Sequence, residues 1–320
     1  MHPVLNILLY NIVPIFIMIM AGIFLGRKFK MDINTLTKIS FYITVPAFTF
    51  TKLYSIDINK DHLLVLLFAC IQLAVLAVIS NLTSRSLGHT RSKSKAFQNS
   101  IMFYNSGNIG VPLITLVFST GLYSISGKNP WLDLALSTQV IVLVVQNTSM
   151  YTIGYYNASS ARGTAKAALM QVLRQPTIYV VPLAFILKLL PLDLRQSFFW
   201  PVLEISSNAL VAISLLSLGV QLTVTVFKLA DRDLWISVAI RLIGSPLLAL
   251  LFIKLLGITG IVARVLFISA SVPTAVNTSL IAAENNNEAV YASQTVLIST
   301  VLCAITLVPI IYVSQFLFPI

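Results

Sequence analysis

Two apolar stretches of this chain are interrupted near their middles by residues able to hydrogen-bond a small charged molecule. The first reads Tyr104-Asn105-Ser106-Gly107-Asn108-Ile109-Gly110-Val111-Pro112 and the second Ser271-Val272-Pro273-Thr274-Ala275-Val276-Asn277-Thr278, about 160 residues later. Asn105 and Asn108 stand three apart, so they share a face if helical, and each amide carries donors and an acceptor. Pro112 and Pro273 each remove a backbone donor and displace a carbonyl partner, while Gly107 and Gly110 loosen the helix around the first break. Such a break frees N–H groups at the start of the following half-helix, where the positive end of the helix dipole attracts a carboxylate. Thr274, Asn277 and Thr278 bring further polar groups from the second break. In hydrocarbon, freed peptide groups are tolerated only against protein or a wet cavity. Interruptions at corresponding positions of two halves therefore point to a substrate site near the bilayer midplane. The competing role for these Asn, Ser and Thr side chains is to join packed helices.

Other polar groups lie within apolar runs. Gln139 and Gln146 are seven apart and so fall on one helical stripe, with Asn147 beside it; the stripe either faces the same cavity or forms a polar seam. Gln72 is the one strongly polar side chain in its run, with the same two readings open. Asp, Glu and His lie at the ends of runs or in connections, Glu284 included, so no side-chain proton relay is expected. Arg241 and Lys188 stand within about two turns of an end, where long cationic side chains snorkel to the interface. Cys70 and Cys303 lie in apolar runs without a CxxC pairing and read as small buried hydrophobes. His2, His62 and His89 have no metal-ligand spacing, and no GxSxG, HExxH or P-loop occurs. The expectation is a protein that is not an enzyme and uses neither metal nor cofactor.

Of the residues, 57% are hydrophobic and 10% charged, against roughly 25% charged in a soluble domain. Apolar runs repeatedly exceed the ~18 residues that mark a membrane-spanning helix. The fold class expected is an all-α integral membrane protein embedded in a lipid bilayer. A net charge of +11 invites nucleic acid, but Lys and Arg sit in short connections, where the positive-inside rule already accounts for them. Ten spans are predicted, roughly 4–26, 34–55, 62–84, 95–120, 132–156, 168–190, 197–223, 233–256, 260–284 and 288–318.

The first run lacks a basic leader and a cleavage site and is followed by Arg27, Lys28 and Lys30, so it remains as a helix with its N-terminus outside. Both termini are then extracytoplasmic in a multi-pass protein of the cell membrane. Of the 21 Lys and Arg, about 14 fall inside and about 7 outside. Five spans per half make equivalent helices antiparallel, an inverted repeat that pairs span four with span nine. The expected divisions are a first repeat at 1–156, a cytoplasmic join at 157–167 and a second repeat at 168–320.

The combination Asn105-x-x-Asn108-x-Gly110-x-Pro112 in span four, Pro273-Thr274-Ala275 in span nine and Pro46 in a Phe-Tyr-x-x-x-Pro stretch resembles the auxin efflux carrier family. Leu218-Gly219-Val220-Gln221-Leu222 and Ser299-Thr300 extend the resemblance nearly end to end. The short join makes the chain similar to the bacterial branch, permeases for small organic acids such as malate or malonate. The resemblance implies a scaffold of spans one, two, six and seven, and a mobile transport domain of spans three to five and eight to ten. It further implies helices crossing at the breaks of spans four and nine beside the substrate; a homodimer is expected as the assembled form. It assigns the substrate carboxylate to Asn105 and a site-lining glutamine to Gln146. Gln72 stands where plant carriers have an Asp–Lys pair, and Ile213-Ser214 where many relatives have a proline. The expected activity is secondary transport of a small organic anion by elevator-type alternating access, with a sodium ion, a proton or neither coupled to it. An anion channel or a sensor on the same fold is the alternative.

Overall fold

A computed structural model describes residues 3–55, 60–120, 128–159, 170, 173–191, 193–223 and 231–320. These form helices α1 (Pro3–Phe29), α2 (33–55), α3 (Lys60–Ser86), α4 (Arg91–Met102), α5 (Ser106–Ser119) and α6 (Leu132–Ser159). After them come α7 (Pro176–Lys188), α8 (Trp200–Leu222), α9 (Arg232–Leu255), α10 (Gly260–Ser269), α11 (Val276–Glu284) and α12 (Ala289–Leu317). Among the described residues, six helices are long and apolar enough to cross a membrane: α1, α3, α6, α8, α9 and α12. α5, α7 and α10 are shorter and apolar. The join expected at 157–167 lies mostly outside the described residues, and Asn157 still belongs to α6.

Prolines shape the helices without ending them. Pro14, Pro46, Pro112 and Pro246 each follow a widened π-type turn, at Leu8–Ile12, Ser40–Thr44, Ser106–Gly110 and Ile240–Gly244. A proline has no N–H and its ring strikes the carbonyl four residues back, and one wide turn relieves that clash. Where the chain leaves helix altogether, at 103–105 and 270–275, the reason is the Asn/Gly/Pro chemistry of the two interrupted stretches.

Two sets of close helix contacts stand out, and α2 on α6, α8 on α5 and α1 on α12 join the two sets. α1 lies on α8, α8 on α2 and α2 on α7. The α1–α8 contact is close because glycines face one another: a Cβ on Gly219 would sit 2.1 Å from the Ile19 carbonyl oxygen, and one on Gly22 2.3 Å from that of Leu216. Small residues that let backbones approach are the ordinary device for helix association in lipid. In the second group α3 packs on α4 and α6, α5 on α6, α6 on α10, α9 on α10, and α11 on α12. Outward faces carry exposed apolar side chains such as Ile17, Ile205, Leu255 and Ile305, which a bilayer requires. The expectation that both cysteines are buried holds for Cys303 only; Cys70 is on the exposed face of α3, because one apolar run supplies a lipid face as well as a core face.

Candidate functional site

The two breaks lie against each other. Tyr104 and Thr274 form an antiparallel bridge, the Asn105 N–H donates to the Pro273 carbonyl at 2.8 Å, and the Ala275 N–H donates to the Phe103 carbonyl at 3.0 Å. Helix ends in hydrocarbon must satisfy their orphan groups internally, and here each break serves the other. The Thr274 hydroxyl donates to the Ser100 carbonyl at 2.8 Å, and the Thr274 N–H donates to the Ser299 hydroxyl at 3.2 Å.

Asn105 caps α5. Its Oδ1 accepts from the Asn108 N–H at 3.0 Å, and its carbonyl accepts from Ile109 at 3.3 Å and Gly110 at 2.8 Å. An acceptor is required toward Asn108, which fixes the amide orientation. The Nδ2 donor of Asn105 is thereby left buried and without a hydrogen-bond partner. No side chain caps α11. The first turns of both helices, at Gly107, Val276 and Asn277, border a cavity of about 50 Å³.

That cavity lies between the two packing groups. Asn105, Gly107, Asn108, Asn147 and Asn277 line it from one side, and Thr37 and Ser40 of α2 with Ser217 and Gln221 of α8 from the other. Gln221 Nε2 donates across to the Ser279 hydroxyl at 3.0 Å. Amide and hydroxyl groups share the lining with apolar side chains such as Phe41, Leu143 and Met150.

The remaining residues singled out in the sequence serve the breaks or seams and do not line this cavity. Gln146 Oε1 accepts from the Tyr104 N–H at 3.2 Å, with Nε2 buried and unpartnered. Gln139 Nε2 donates to the Ser106 carbonyl at 2.8 Å, and a Cβ on Gly110 would fall 2.5 Å from that nitrogen. Gln72 Nε2 donates to the Ser245 hydroxyl at 3.0 Å and to its carbonyl at 3.2 Å, a seam between α3 and α9. The Thr278 hydroxyl returns to the Ala275 carbonyl at 2.7 Å. Pro112 occupies the first turn of the α-helical part of α5, where its missing N–H costs nothing. Pro273 supplies the carbonyl that Asn105 meets.

Arg241 departs from the sequence expectation. It does not snorkel but is wholly buried, and its guanidinium donates to the Ile101 carbonyl at 3.0 Å and to the Ala270 carbonyl and Ser245 hydroxyl. The carbonyls it meets end α4 and α10. Sequence reading missed it along with the walls at Thr37, Ser40, Ser217 and Gln221. The one available signal was the need of two broken helices for strong donors to their orphan carbonyls.

A family model described as membrane transport protein matches residues 7–312. A relative from Methanothermobacter thermautotrophicus, described as an uncharacterized transporter, is 23% identical over 306 residues, covering 93% of this chain and 95% of its own. The chain therefore belongs to the membrane transport protein family, that of the auxin efflux carriers, and its helices are those of a membrane-spanning transporter.

Proposed function

We propose that the protein is a secondary carrier for a small organic anion, held where the breaks of α4–α5 and α10–α11 meet. The observation that carries this reading is the buried, unpartnered Nδ2 of Asn105 on a cavity that the first turns of α5 and α11 also border. Two helix N-termini bring roughly half a positive charge each, and an amide with a spare donor between them suits a carboxylate. Asn108, Asn147 and Asn277 complete the polar wall, while Gln146 and Thr274 hold the breaks in place.

The chain is read as ten spans in a five-plus-five inverted repeat, α4–α5 forming span four and α10–α11 span nine. The group of α1, α2, α7 and α8 acts as scaffold and the rest as the moving domain. Placement of the cavity on the seam between these groups supports an elevator-type motion. Lining residues from the start of α2 and the end of α8 stand beside the basic connections, so this state opens toward the cytoplasm by the charge rule. Glu284 is exposed at the end of α11, and the site itself holds no titratable carboxylate among its lining residues. Transport therefore proceeds without a dedicated side-chain proton site, driven by a bound ion, by a proton on the substrate or by membrane potential, which is worth about 2.3 kcal/mol per charge per 100 mV.

The test is uptake of a panel of labelled mono- and dicarboxylates into proteoliposomes, with pH and sodium gradients imposed separately at clamped potential. Saturable uptake of at least one carboxylate, and none of its amide, is expected. Ohmic, non-saturating flux would instead identify a channel.

A further inference from the structure

Arg241 is a cation in the interior of the helix bundle, and among the described residues no carboxylate pairs with it. Burying an isolated charge is costly unless something of opposite sign meets it. What meets it is a pair of helix ends. One guanidinium nitrogen takes the Ile101 carbonyl, at the close of the 12-residue α4. The other takes the Ala270 carbonyl, just past the 10-residue α10. Each helix C-terminus carries about half a negative charge, so two of them balance one guanidinium. The Tyr104 ring lies over the guanidinium, its centroid 4.7 Å away, and Tyr104 also lines the cavity.

The consequence is electrostatic. Four helix ends meet at the two breaks, two positive and two negative, and left alone they cancel at close range. With the negative pair neutralised, the positive pair is left to face the cavity. We propose that Arg241 sets the sign of the charge this site accepts, by masking the C-terminal ends of α4 and α10 so that the N-terminal ends of α5 and α11 select an anion. The inference rests on the reading of the cavity as the ligand site, but it concerns the local potential and not any one substrate. Arg241 is a specificity-determining residue that need not touch the ligand.

The test measures that potential without a substrate. Asn277→Cys, in a Cys70→Ser background, puts a thiol on the cavity wall. Its rates of modification are measured with two methanethiosulfonate reagents, one bearing a sulfonate and the other a trimethylammonium group. The anionic-to-cationic rate ratio, normalised to the same ratio for a free thiol, should exceed one in the otherwise native protein. It should stay above one in Arg241→Lys and fall on the order of a hundredfold in Arg241→Met, because one charge acting across ~10 Å at an effective dielectric constant of ~20 changes each rate roughly tenfold, in opposite directions for the two reagents. A second variant, Ser245→Asp, places a carboxylate on the guanidinium and should lower the ratio likewise while leaving Arg241 in place.

A merely structural role for Arg241 changes both rates together and leaves the ratio fixed, which would overturn the proposal. A native ratio of one or below would overturn it without any change at Arg241. A ratio that behaves as predicted while no carboxylate is transported would instead count against the carrier reading alone.

Discussion

The backbone N–H of Asn105 donates to the carbonyl of Pro273 at 2.8 Å, joining two helix breaks that stand 168 residues apart in the chain. Proline supplies an acceptor whose helical partner is missing, and asparagine supplies a donor that precedes its own helix. The same Asn105 then turns its side-chain oxygen to the Asn108 N–H and keeps its amide donor unspent.

Asn105→Ala removes that donor and the cap of α5. Loss of a hydrogen bond to a charged ligand group costs roughly 1.5–3 kcal/mol, a tenfold to hundredfold weakening of carboxylate binding. Gln146→Ala and Thr274→Ala, whose side chains hold backbone at the breaks, should lower the unfolding temperature more than they weaken binding. Binding isotherms and thermal unfolding on the same purified variants separate the two effects. Equal binding by Asn105→Ala and the native protein would remove the anion from this place.

Gln221 of α8 and Ser279 of α11 touch at 3.0 Å across the seam. If the two groups slide, that contact breaks in each cycle. Gln221→Cys with Ser279→Cys, spanned by a thiol cross-linker that itself contains a disulfide, should stop uptake, and reduction should restore it. Full uptake by the quantitatively cross-linked protein would mean that the seam does not move.

Gly219→Val drives a side chain into the Ile19 carbonyl. Overpacking of this kind costs about 1–3 kcal/mol or more, so α1 should separate from α8 and the melting temperature in detergent should fall by at least a few degrees. Gly257→Val, at a position with open space but a left-handed backbone, should cost less.

At the end of the bundle that bears α9's first turn, Lys93 Nζ lies 2.7 Å from an Asp231 carboxylate oxygen. Partial burial pushes the Asp231 pKa up, but the Lys93 hydrogen bond and the Asp233 N–H outweigh it, and the net shift is downward. A carboxyl depressed in the folded state stabilises it above its unfolded pKa and loses that contribution as pH falls through the folded value. The destabilisation caused by Lys93→Met, about 1 kcal/mol for a partly exposed pair, should therefore be present at pH 7 and fade as pH drops below the usual carboxylate range and through the lowered folded-state value. Melting curves of both proteins at steps from pH 7 down to pH 2 measure it; a difference that stays constant over the whole range would assign the effect to the packing of Lys93 on Tyr291.

What the sequence made legible was local. Asn105, Gly107, Asn108 and the two prolines announce a break because their backbone chemistry acts within a few residues, and the apolar runs mark the helices by composition alone. The walls at Ser217 and Gln221 were silent, since a serine or glutamine late in an apolar helix looks the same whether it faces a cavity or a neighbour. Gln72 and Gln139 illustrate the converse, polar groups that turned to the Ser245 and Ser106 backbones. Arg241 was misread for a physical reason: distance from a helix end describes where a side chain can reach water, not which carbonyls need it. Those carbonyls lie 140 and 29 residues away.

The central claim is that the meeting point of the two breaks carries an anion by alternating access. Counterflow tests it most directly. Proteoliposomes loaded with an unlabelled carboxylate that the uptake panel selects are diluted into a trace of the same labelled carboxylate, at zero potential and without ion gradients. A carrier with one alternating site should accumulate label transiently above equilibrium, and Asn105→Ala should not. Label that rises only to its equilibrium level in the native protein, as diffusion through a pore requires, would contradict the account.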